Sequence, residues 1–225
     1  MEKDPRCIGI ILDGNRRWAR QNDISISEGH LRGYERLIDC ARWVRDRAVP
    51  HLVVYAFSIE NWNREKDEVS YLMNLLKKLA DEPLRRLADE CIRVRFIGKL
   101  DMLSREMRDG LAKAESARVE NPQLTLWVCL SYGSRQEITA AAQAVAQNDG
   151  KITEESLRKH FWSAEMPDPD LIIRPGGEKR LSNFLLWQAA YSELFFIDPY
   201  WPEFSENDLD QILAQYRARD RRIGT

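Results

Sequence analysis

The segment between Asp170 and Trp201 carries the side chains of this sequence that are best suited to chemistry. An apolar run, Leu171–Ile173, predicts a short strand, and the polar sequence RPGGEKR follows it directly. Glycines let backbone N–H groups converge on an anion, and the guanidinium group of arginine binds phosphate oxygens in pairs. The segment therefore predicts a site for an anion with phosphate oxygens, and its candidate ligands are Arg174, Arg180 and Ser182.

Glu193 follows this basic cluster within an apolar and aromatic stretch. A carboxylate this close to candidate anion ligands is a candidate ligand of a metal ion. The aromatic residues around it, in the runs NFLLWQAAY and LFF, indicate that a hydrophobic group accompanies the charge.

The composition is that of an ordinary globular protein. The chain has 225 residues, of which 44% are hydrophobic, and this argues against disorder. With 34 basic and 36 acidic residues the net charge is −2, so binding to nucleic acid is not expected and any anion site must be a local cluster. Four cysteines show no metal-binding spacing and are expected to be buried thiols in a reducing compartment: Cys7, Cys40, Cys91 and Cys129.

The start of the sequence, MEKDPRC, lacks the apolar core of a signal peptide, and no stretch is apolar enough to span a bilayer. We therefore expect a cytoplasmic protein. Peripheral contact with a membrane surface stays open.

Apolar runs and helical segments alternate along the chain. The runs typical of strands buried on both faces are Cys7–Leu12, Leu52–Phe57, Val94–Ile97, Leu124–Leu130, Leu171–Ile173 and Leu194–Ile197. The segments typical of helices are Arg16–Arg20, Leu31–Arg47, Glu68–Ala88, Ser104–Glu120, Ser134–Gln147, Thr153–Phe161 and Ser205–Arg219. This alternation predicts an α/β fold: a single domain over residues 1–225, with a mainly parallel central sheet flanked by helices.

Polar clusters follow four of the predicted strands. They occupy the segments 13–17, 58–64, 131–135 and 174–180, which read DGNRR, SIENWNR, SYGSR and RPGGEKR. Ligands of parallel α/β sheets collect at the carboxyl ends of the strands. The four clusters therefore predict one composite site at that edge of the sheet.

Asp13 is the carboxylate at the end of the first predicted strand. It could hold Mg²⁺ against a diphosphate, while the start of the next helix and the neighbouring basic residues take the remaining charge. Asp-Gly-Asn is also good turn chemistry by itself, so both interpretations stay open.

Two further polar features also have two interpretations. The residues from Ser58 to Arg64 could position a phosphate or a reacting carbon, or they could cap the following helix. His30, next to Gly29, could donate to a diphosphate or belong to a helix cap. The apolar segments 68–88 and 124–130 are typical of a core, and they would also suit the wall of a hydrocarbon tunnel. No CxxC, HExxH, nucleophile-elbow or Walker sequence occurs, so covalent catalysis, zinc chemistry and nucleotide hydrolysis have no support.

Motifs spread in order over nearly the whole chain resemble those of a known family. They are ILDGNRRWA, Gly29-His30, YAFSIENWNR, SYGSRQEI, IIRPGGEKRLSNFLLWQAAYSELFF and RRIG. These motifs resemble the cis-prenyltransferases, and among them the bacterial undecaprenyl diphosphate synthases. The resemblance implies a homodimer with a sheet-and-helix fold that uses Mg²⁺. It also implies addition of isopentenyl diphosphate to an allylic diphosphate such as farnesyl diphosphate, with each new double bond cis.

The resemblance implies a role for each motif residue. The catalytic residues would be Asp13, which also binds Mg²⁺ and diphosphate, and Asn61. The allylic diphosphate would be bound by Asn15, Arg17 and His30, and we add Gly14, Arg16 and Trp18 as further candidate substrate-binding residues. A loop that closes over the substrates would contain Ser58, Asn61, Trp62 and Arg64. Isopentenyl diphosphate would be bound by Arg174, Arg180 and Ser182, Glu193 would help to hold Mg²⁺, and Arg222 and Gly224 would reach the partner subunit's site.

Arg16 and Ile26 depart from the family pattern, in which glycine and arginine are usual at these positions. We hypothesise that Arg16 supplies the charge that Ile26 lacks. The alternative is an unusual allylic substrate.

Three other functions stay open. The first is irregular coupling of two short prenyl diphosphates on the same fold, of the lavandulyl diphosphate type, against which the intact Ser58, Asn61 and Arg180 argue. The second is a non-catalytic partner subunit, against which the retained Asp13 argues. The third is a general phosphate-binding module, which leaves Glu193 and the apolar segments unexplained.

Overall fold

The six predicted strands all form, and they build one sheet. A computed structural model describes residues 4–81, 83–148 and 150–219 of the chain. In chain order the strands are β1 (Cys7–Ile11), β2 (His51–Ser58), β3 (Ile92–Ile97), β4 (Leu124–Tyr132), β5 (Leu171–Arg174) and β6 (Glu193–Phe196). They lie in the order β3-β4-β2-β1-β5-β6, and every neighbouring pair is parallel. The α/β class and the parallel sheet are thereby confirmed.

Helices connect the strands. In chain order they are α1 (Asn15–Gln21), α2 (Ile26–Asp46), α3 (Lys66–Asp81), α4 (Pro83–Arg86), α5 (Arg105–Glu115), α6 (Ser134–Gln147), α7 (Glu154–His160) and α8 (Glu206–Ala218). No helix among the described residues is long and apolar enough to cross a membrane.

The segment 68–88, predicted as one helix, falls on most of α3, on α4 and on the start of a 3₁₀ helix, Leu87–Glu90. Residue 82, between α3 and α4, lies outside the described residues. The predicted helix therefore ends in a 3₁₀ turn rather than as an α-helix at residue 88.

Two other helix bounds differ from the prediction because of local side-chain hydrogen bonds. The helix α2 begins at Ile26 rather than at residue 31, since the Ser25 hydroxyl accepts a hydrogen bond from the backbone N–H of Glu28 and caps the helix. The helix α5 ends at Glu115 rather than at residue 120. There the Ser116 hydroxyl donates to the backbone carbonyl of Lys113 at 2.8 Å.

Both faces of the sheet are covered. On one face, side chains such as Ile10 and Val54 pack against α2, α3, α5 and α8. On the other face, Val53 and Tyr55 pack against the segment 181–189, beside which α6 and α7 pack on one another. Burial on both faces explains why the strands read as continuous apolar runs in the sequence.

Candidate active site

A cavity of about 780 Å³ opens at the carboxyl ends of β1, β2 and β5. The ends of these strands line it together with α1, the start of α2, the segment 58–64 and the turn at 182–183. Of the residues predicted from sequence, it brings together Asp13, Gly14, Asn15, Arg16, Arg17, His30, Ser58, Asn61, Arg64, Arg174 and Ser182. The third polar cluster, 131–135, does not line this cavity. Its Arg135 lines a separate groove with Lys99 and Trp162.

Arg174 is the buried centre of the site, with 4% of its surface exposed. Its Nη2 and Nε donate to Oδ2 of Asp13, at 2.8 and 3.2 Å. Its Nη1 donates to Oγ of Ser182 at 2.9 Å and also to the backbone carbonyl of Arg180. A buried guanidinium whose donors are used in this way orients the groups around it. Arg174 therefore holds Asp13 and Ser182 in place, whereas the sequence predicted it as a phosphate ligand.

Arg17 contacts the other oxygen of Asp13, with 3.2 Å between Nη2 and Oδ1. Its Nη1 donates to the backbone carbonyl of Gly176 at 2.9 Å and lies 3.6 Å from the carboxylate of Glu178. Its guanidinium lies 5.1 Å from the ring centroid of Tyr200. Because 36% of its side chain is exposed, Arg17 can still contact a ligand in the cavity.

Gly14 makes the turn from β1 into α1 possible. Its φ of +107° lies in the left-handed region, and a Cβ at this position would lie 2.6 Å from the ring of Tyr200. A side chain at this position would displace Tyr200, so the turn between β1 and α1 requires glycine.

Glu68 on α3 gathers three basic side chains at the wall of the cavity. Arg64 Nη1 lies 2.9 Å and His30 Nε2 lies 3.3 Å from its Oε1, and Arg16 Nη1 lies 3.6 Å from its Oε2. Burial lowers the pKa of His30 below its ordinary value, and the hydrogen bond to Glu68 opposes that shift. Sequence reasoning missed Glu68. Arg64 lies in extended backbone before the start of α3, so no helical spacing marks the two residues as a pair.

The loop after β2 is held by reciprocal hydrogen bonds between Ser58 and Asn61. The backbone N–H of Ser58 donates to Oδ1 of Asn61 at 3.1 Å, and the backbone N–H of Asn61 donates to Oγ of Ser58 at 3.3 Å. They cap a 3₁₀ helix, Ile59–Asn63. The cap therefore belongs to this short helix and not to α3, the following helix for which it was predicted. Both residues also line the cavity.

Trp62 anchors this loop to the sheet. Its Nε1 donates to Oγ of Ser131 at 3.1 Å. Its ring forms a T-shaped contact with the ring of Phe57, with 5.2 Å between the centroids. Trp62 does not line the cavity. It fixes the loop that carries Ser58 and Asn61.

Glu60 and Asn183 also line the cavity, and sequence reasoning did not single them out. Nδ2 of Asn183 donates to Oε1 of Glu60 at 2.9 Å, which joins the loop after β2 to the turn after β5. Asn183 has a φ of +67°, a conformation that asparagine tolerates better than most residues.

Two predicted ligands do not form part of the cavity wall. Trp18 donates from Nε1 to Oε1 of Glu203 at 3.1 Å. The guanidinium of Arg180 pairs with Glu178, and 59% of its side chain is exposed. Arg180 stands at the rim, from which its side chain could turn toward a ligand.

Glu193 lies at the amino end of the parallel strands, whereas Asp13 lies at their carboxyl end. It begins β6 in register with Leu171, and Leu171 is in register with Ile8 of β1. Asp13 is five residues beyond Ile8, which at about 3.3 Å per residue is roughly 16 Å along the strand direction. Glu193 pairs instead with Arg219. The structure therefore does not bring the two predicted metal ligands together within one chain. Glu193 begins β6, whereas Asp13 follows the carboxyl end of β1.

Of the two carboxylates on the cavity wall, Asp13 is the one predicted as a metal ligand, while Glu60 accepts a hydrogen bond from Asn183. Within the described ranges, no group of three or more His, Cys, Asp or Glu side chains converges on a common point. Mg²⁺ commonly binds through one or two carboxylates together with substrate phosphates and water. The side chain of Asp13, 26% exposed at the cavity wall, fits that mode of binding. The predicted residues Arg222 and Gly224 lie outside the described residues.

A second cavity, apolar and of about 80 Å³, adjoins the polar one. Both are lined by Leu12, Asn15, His30, Ala56 and Leu72. The remaining wall comes mainly from α2, α3, α5 and β4. The segments 68–88 and 124–130, expected as core or tunnel wall, both contribute to it.

Comparison with known proteins agrees with this arrangement. Residues 11–224 match the family model Prenyltransf, described as "Putative undecaprenyl diphosphate synthase". The isoprenyl transferase of Neisseria gonorrhoeae is 42% identical over 221 residues, which cover 98% of this chain and 89% of that protein. The farnesyl-diphosphate-specific ditrans,polycis-undecaprenyl-diphosphate synthase of Micrococcus luteus is 40% identical over 227 residues, which cover 98% and 91%.

A solved structure matches as well. The crystal structure of lavandulyl diphosphate synthase from Lavandula x intermedia, in complex with dimethylallyl diphosphate, matches with a TM-score of 0.93. The two proteins are 31% identical, and the match covers 100% of both chains. This chain therefore belongs to the prenyltransferase family of the undecaprenyl diphosphate synthases.

Proposed function

We propose that this protein is a Mg²⁺-dependent cis-prenyltransferase that adds isopentenyl diphosphate to an allylic diphosphate such as farnesyl diphosphate. The observation that carries the proposal is the junction of a polar cavity of about 780 Å³ with an apolar cavity of about 80 Å³. A prenyl diphosphate has the same division, with an anionic head and a hydrocarbon tail. Membership of the family supports the reaction class.

Basic side chains exceed carboxylates on the wall of the polar cavity. Among the described residues the wall carries the arginines Arg16, Arg17, Arg20, Arg64 and Arg174, and the carboxylates Asp13 and Glu60. Two diphosphates bring several negative charges into one site. An excess of fixed positive charge supports their binding and stabilises a diphosphate that leaves.

The proposed reaction joins C1 of the allylic substrate to C4 of isopentenyl diphosphate. The allylic C–O bond breaks, its electron pair leaves with the diphosphate, and a proton leaves C2 of the isopentenyl unit. Arg17 and Arg64 stabilise the charge that develops on the departing diphosphate. Bound Mg²⁺, for which Asp13 is the candidate ligand, supplies further neutralisation of that charge. Binding of both substrates in one cavity supplies the orientation that the bond formation needs.

A second candidate is irregular coupling of two short prenyl diphosphates. It is favoured by the structural match to lavandulyl diphosphate synthase in complex with dimethylallyl diphosphate. It differs from the first candidate because it consumes no isopentenyl diphosphate.

We also infer that two copies of the chain form a homodimer. β6 is an edge strand of the sheet, and apolar side chains on and before it are exposed, namely Leu186, Tyr191 and Leu194. An exposed apolar edge of a sheet is prone to pair with another chain. Sedimentation equilibrium tests this inference, and a monomer at micromolar concentration would contradict it.

We place the protein in the cytoplasm, where its four cysteines, free in this structure, would stay reduced. Its product would be amphipathic. Peripheral contact with a membrane at product release follows from that chemistry.

The test of the proposed reaction uses purified protein, Mg²⁺, labelled isopentenyl diphosphate and allylic primers of increasing length. Regular condensation predicts that the label enters the product and that a chelator stops the reaction. Irregular coupling predicts a product from dimethylallyl diphosphate alone. Absence of both products would contradict both candidates, and incorporation that a chelator leaves unchanged would contradict the role of Mg²⁺.

A further inference from the structure

Asn183 connects three parts of the molecule at the edge of the polar cavity. Its Oδ1 accepts a hydrogen bond from the backbone N–H of Arg135 at 2.9 Å. Its Nδ2 donates to Oε1 of Glu60 at 2.9 Å and to Oε1 of Gln136 at 3.0 Å. Because Oδ1 faces a backbone donor, the two hydrogens of Nδ2 must point to Glu60 and Gln136. The side-chain amide is therefore held in one orientation.

The first of these contacts fastens the turn that carries Asn183 to the start of α6. Gly133, the N-cap residue of α6, has no side chain with which to cap the helix. Asn183 does so instead, since its backbone carbonyl accepts from the N–H of Ser134 at 2.8 Å and its side chain accepts from Arg135. A Cβ at position 133 would lie 2.7 Å from Nδ2 of Asn183, so the glycine also leaves room for the amide. Two N–H groups at the helix start are thus paired by a distant segment.

This fastening holds a turn whose backbone is strained. Ser182, Asn183 and Leu185 have φ values of +50°, +67° and +44°, in the left-handed region that residues other than glycine rarely adopt. Such a conformation persists only where the surrounding structure holds it. Ser182, a candidate ligand of isopentenyl diphosphate, is also held by the hydrogen bond from Arg174. The position of Ser182 therefore depends on neighbours that include Asn183.

The contact with Glu60 fixes the loop on the other side of the cavity. Glu60 belongs to the 3₁₀ helix Ile59–Asn63, and 123 positions separate it from Asn183. Its carboxylate is exposed on the wall of a cavity whose proposed ligands are diphosphates, and like charges repel. The amide of Asn183 keeps this carboxylate in one place, and with it the loop that carries Ser58 and Asn61.

We propose that Asn183 is a positioning residue that holds the loop with Asn61 and the turn with Ser182 in the relative position that the condensation needs. The inference rests on the proposed function, since it concerns the approach of the two substrates in that reaction. C1 of the allylic substrate must meet C4 of isopentenyl diphosphate, and a misplacement of about 1 Å can cost about 10²-fold in rate. Each diphosphate keeps its own ligands when the link is lost, so the loss acts on kcat more than on either KM.

The test reverses the direction of the hydrogen bond between positions 60 and 183. Asn183→Asp keeps an acceptor for the N–H of Arg135 and tolerates the left-handed φ, but it places a second carboxylate opposite Glu60 and breaks the link. When Glu60→Gln is combined with Asn183→Asp, the new amide can donate to the new carboxylate, and the net charge is that of the wild type.

The measurement is the steady-state rate of incorporation of labelled isopentenyl diphosphate, with each substrate varied in turn. We expect Asn183→Asp to lower kcat about 10- to 100-fold and to change both KM values by less than about threefold. The double variant should regain most of the lost kcat, because the link between the loop and the turn is restored.

Gln136→Glu is the matched control for charge. It adds the same negative charge beside Asn183, but its carboxylate can still accept from Nδ2 and the contact with Glu60 stays. Gln136 does not line the polar cavity, so kcat should stay near the wild-type value. Asn183→Gly serves if Asn183→Asp does not fold, because glycine adopts the left-handed φ freely, and it should show the same loss of kcat. Circular dichroism monitors folding.

Four outcomes would overturn the role of Asn183. They are a wild-type kcat in the folded Asn183 variant, an equal loss in Gln136→Glu, a double variant no faster than Asn183→Asp, or a higher KM for isopentenyl diphosphate without loss of kcat. The last would mean that Asn183 only supports the turn. The proposed function fails in a different way, since a folded wild type that incorporates no label with any primer would overturn the condensation itself.

Discussion

Arg174 donates two hydrogen bonds to the carboxylate of Asp13, at 2.8 and 3.2 Å, although 161 positions separate the two residues in the sequence. The contact forms because β1 and β5 are parallel neighbours, so that their carboxyl ends lie side by side. The carboxylate suited to Mg²⁺ is therefore also the counter-charge of a buried arginine. We therefore expect substitutions of Asp13 to change both activity and stability.

Asp13→Asn should lower kcat by about 10³-fold or more, because the carboxylate that stabilises metal and diphosphate is lost. Asparagine can still accept a hydrogen bond from Arg174, so we expect the variant to stay folded. Asp13→Ala should lose activity equally and unfold more easily, since a buried arginine is left without its counter-charge. Initial rates at saturating Mg²⁺ and urea unfolding measure the two effects. A near wild-type rate for Asp13→Asn would contradict the assignment.

Arg180→Ala should raise KM for isopentenyl diphosphate far more than KM for the allylic primer. Arg180 is exposed at the rim and pairs with Glu178, so its guanidinium is available to turn toward an anion. Steady-state kinetics with each substrate varied in turn supply the measurement. Arg135→Ala is the matched control, because Arg135 is an arginine that lines a different groove. Equal increases in both KM values would show that Arg180 does not distinguish the two substrates.

His30 should make the free energy of unfolding depend on pH. Burial lowers its pKa from the ordinary value of 6.5. The unfolded chain then binds a proton more readily than the folded protein, so the stability from neutral His30 is fully present above about pH 6.5 and is lost as the pH falls through this value toward the lowered pKa. His51, whose pKa burial also lowers, contributes in the same direction.

The measurement is urea unfolding of the wild type and of His30→Gln between about pH 5 and about pH 7.5. The difference in unfolding free energy between the two proteins should shrink as the pH falls through this window. Parallel pH profiles would mean that His30 keeps its ordinary proton affinity in the folded protein.

Arg16→Gly should weaken binding of the allylic primer, because Arg16 lines the polar cavity. Its Nη1 lies 3.6 Å from Glu68, so part of its charge is already neutralised and we expect a moderate effect. Ile26, the first residue of α2, does not line the cavity, and Ile26→Arg would return a cation beside it.

A double-mutant cycle on primer affinity tests the hypothesis that the two positions compensate. A coupling free energy above about 0.5 kcal/mol is the expected sign of interaction. Strictly additive effects would reject compensation and favour an unusual allylic substrate.

The sequence by itself determined the fold class, because continuous apolar runs and helical periodicity are local properties that each segment carries on its own. The alternation of these segments was enough to predict a parallel sheet. Because the carboxyl ends of parallel strands lie side by side, it was also enough to predict that Asp13, Ser58 and Arg174 lie close together.

Only the tertiary structure decided which of these residues work together and how. Arg174 donates hydrogen bonds to Asp13. Glu68 lies close to three basic side chains from three segments of the chain. Glu193 lies at the amino end of the strands, away from Asp13. Hydrogen bonds and ion pairs act over a few ångströms between residues far apart in the chain, so their partners follow from packing and strand register, which no local pattern encodes.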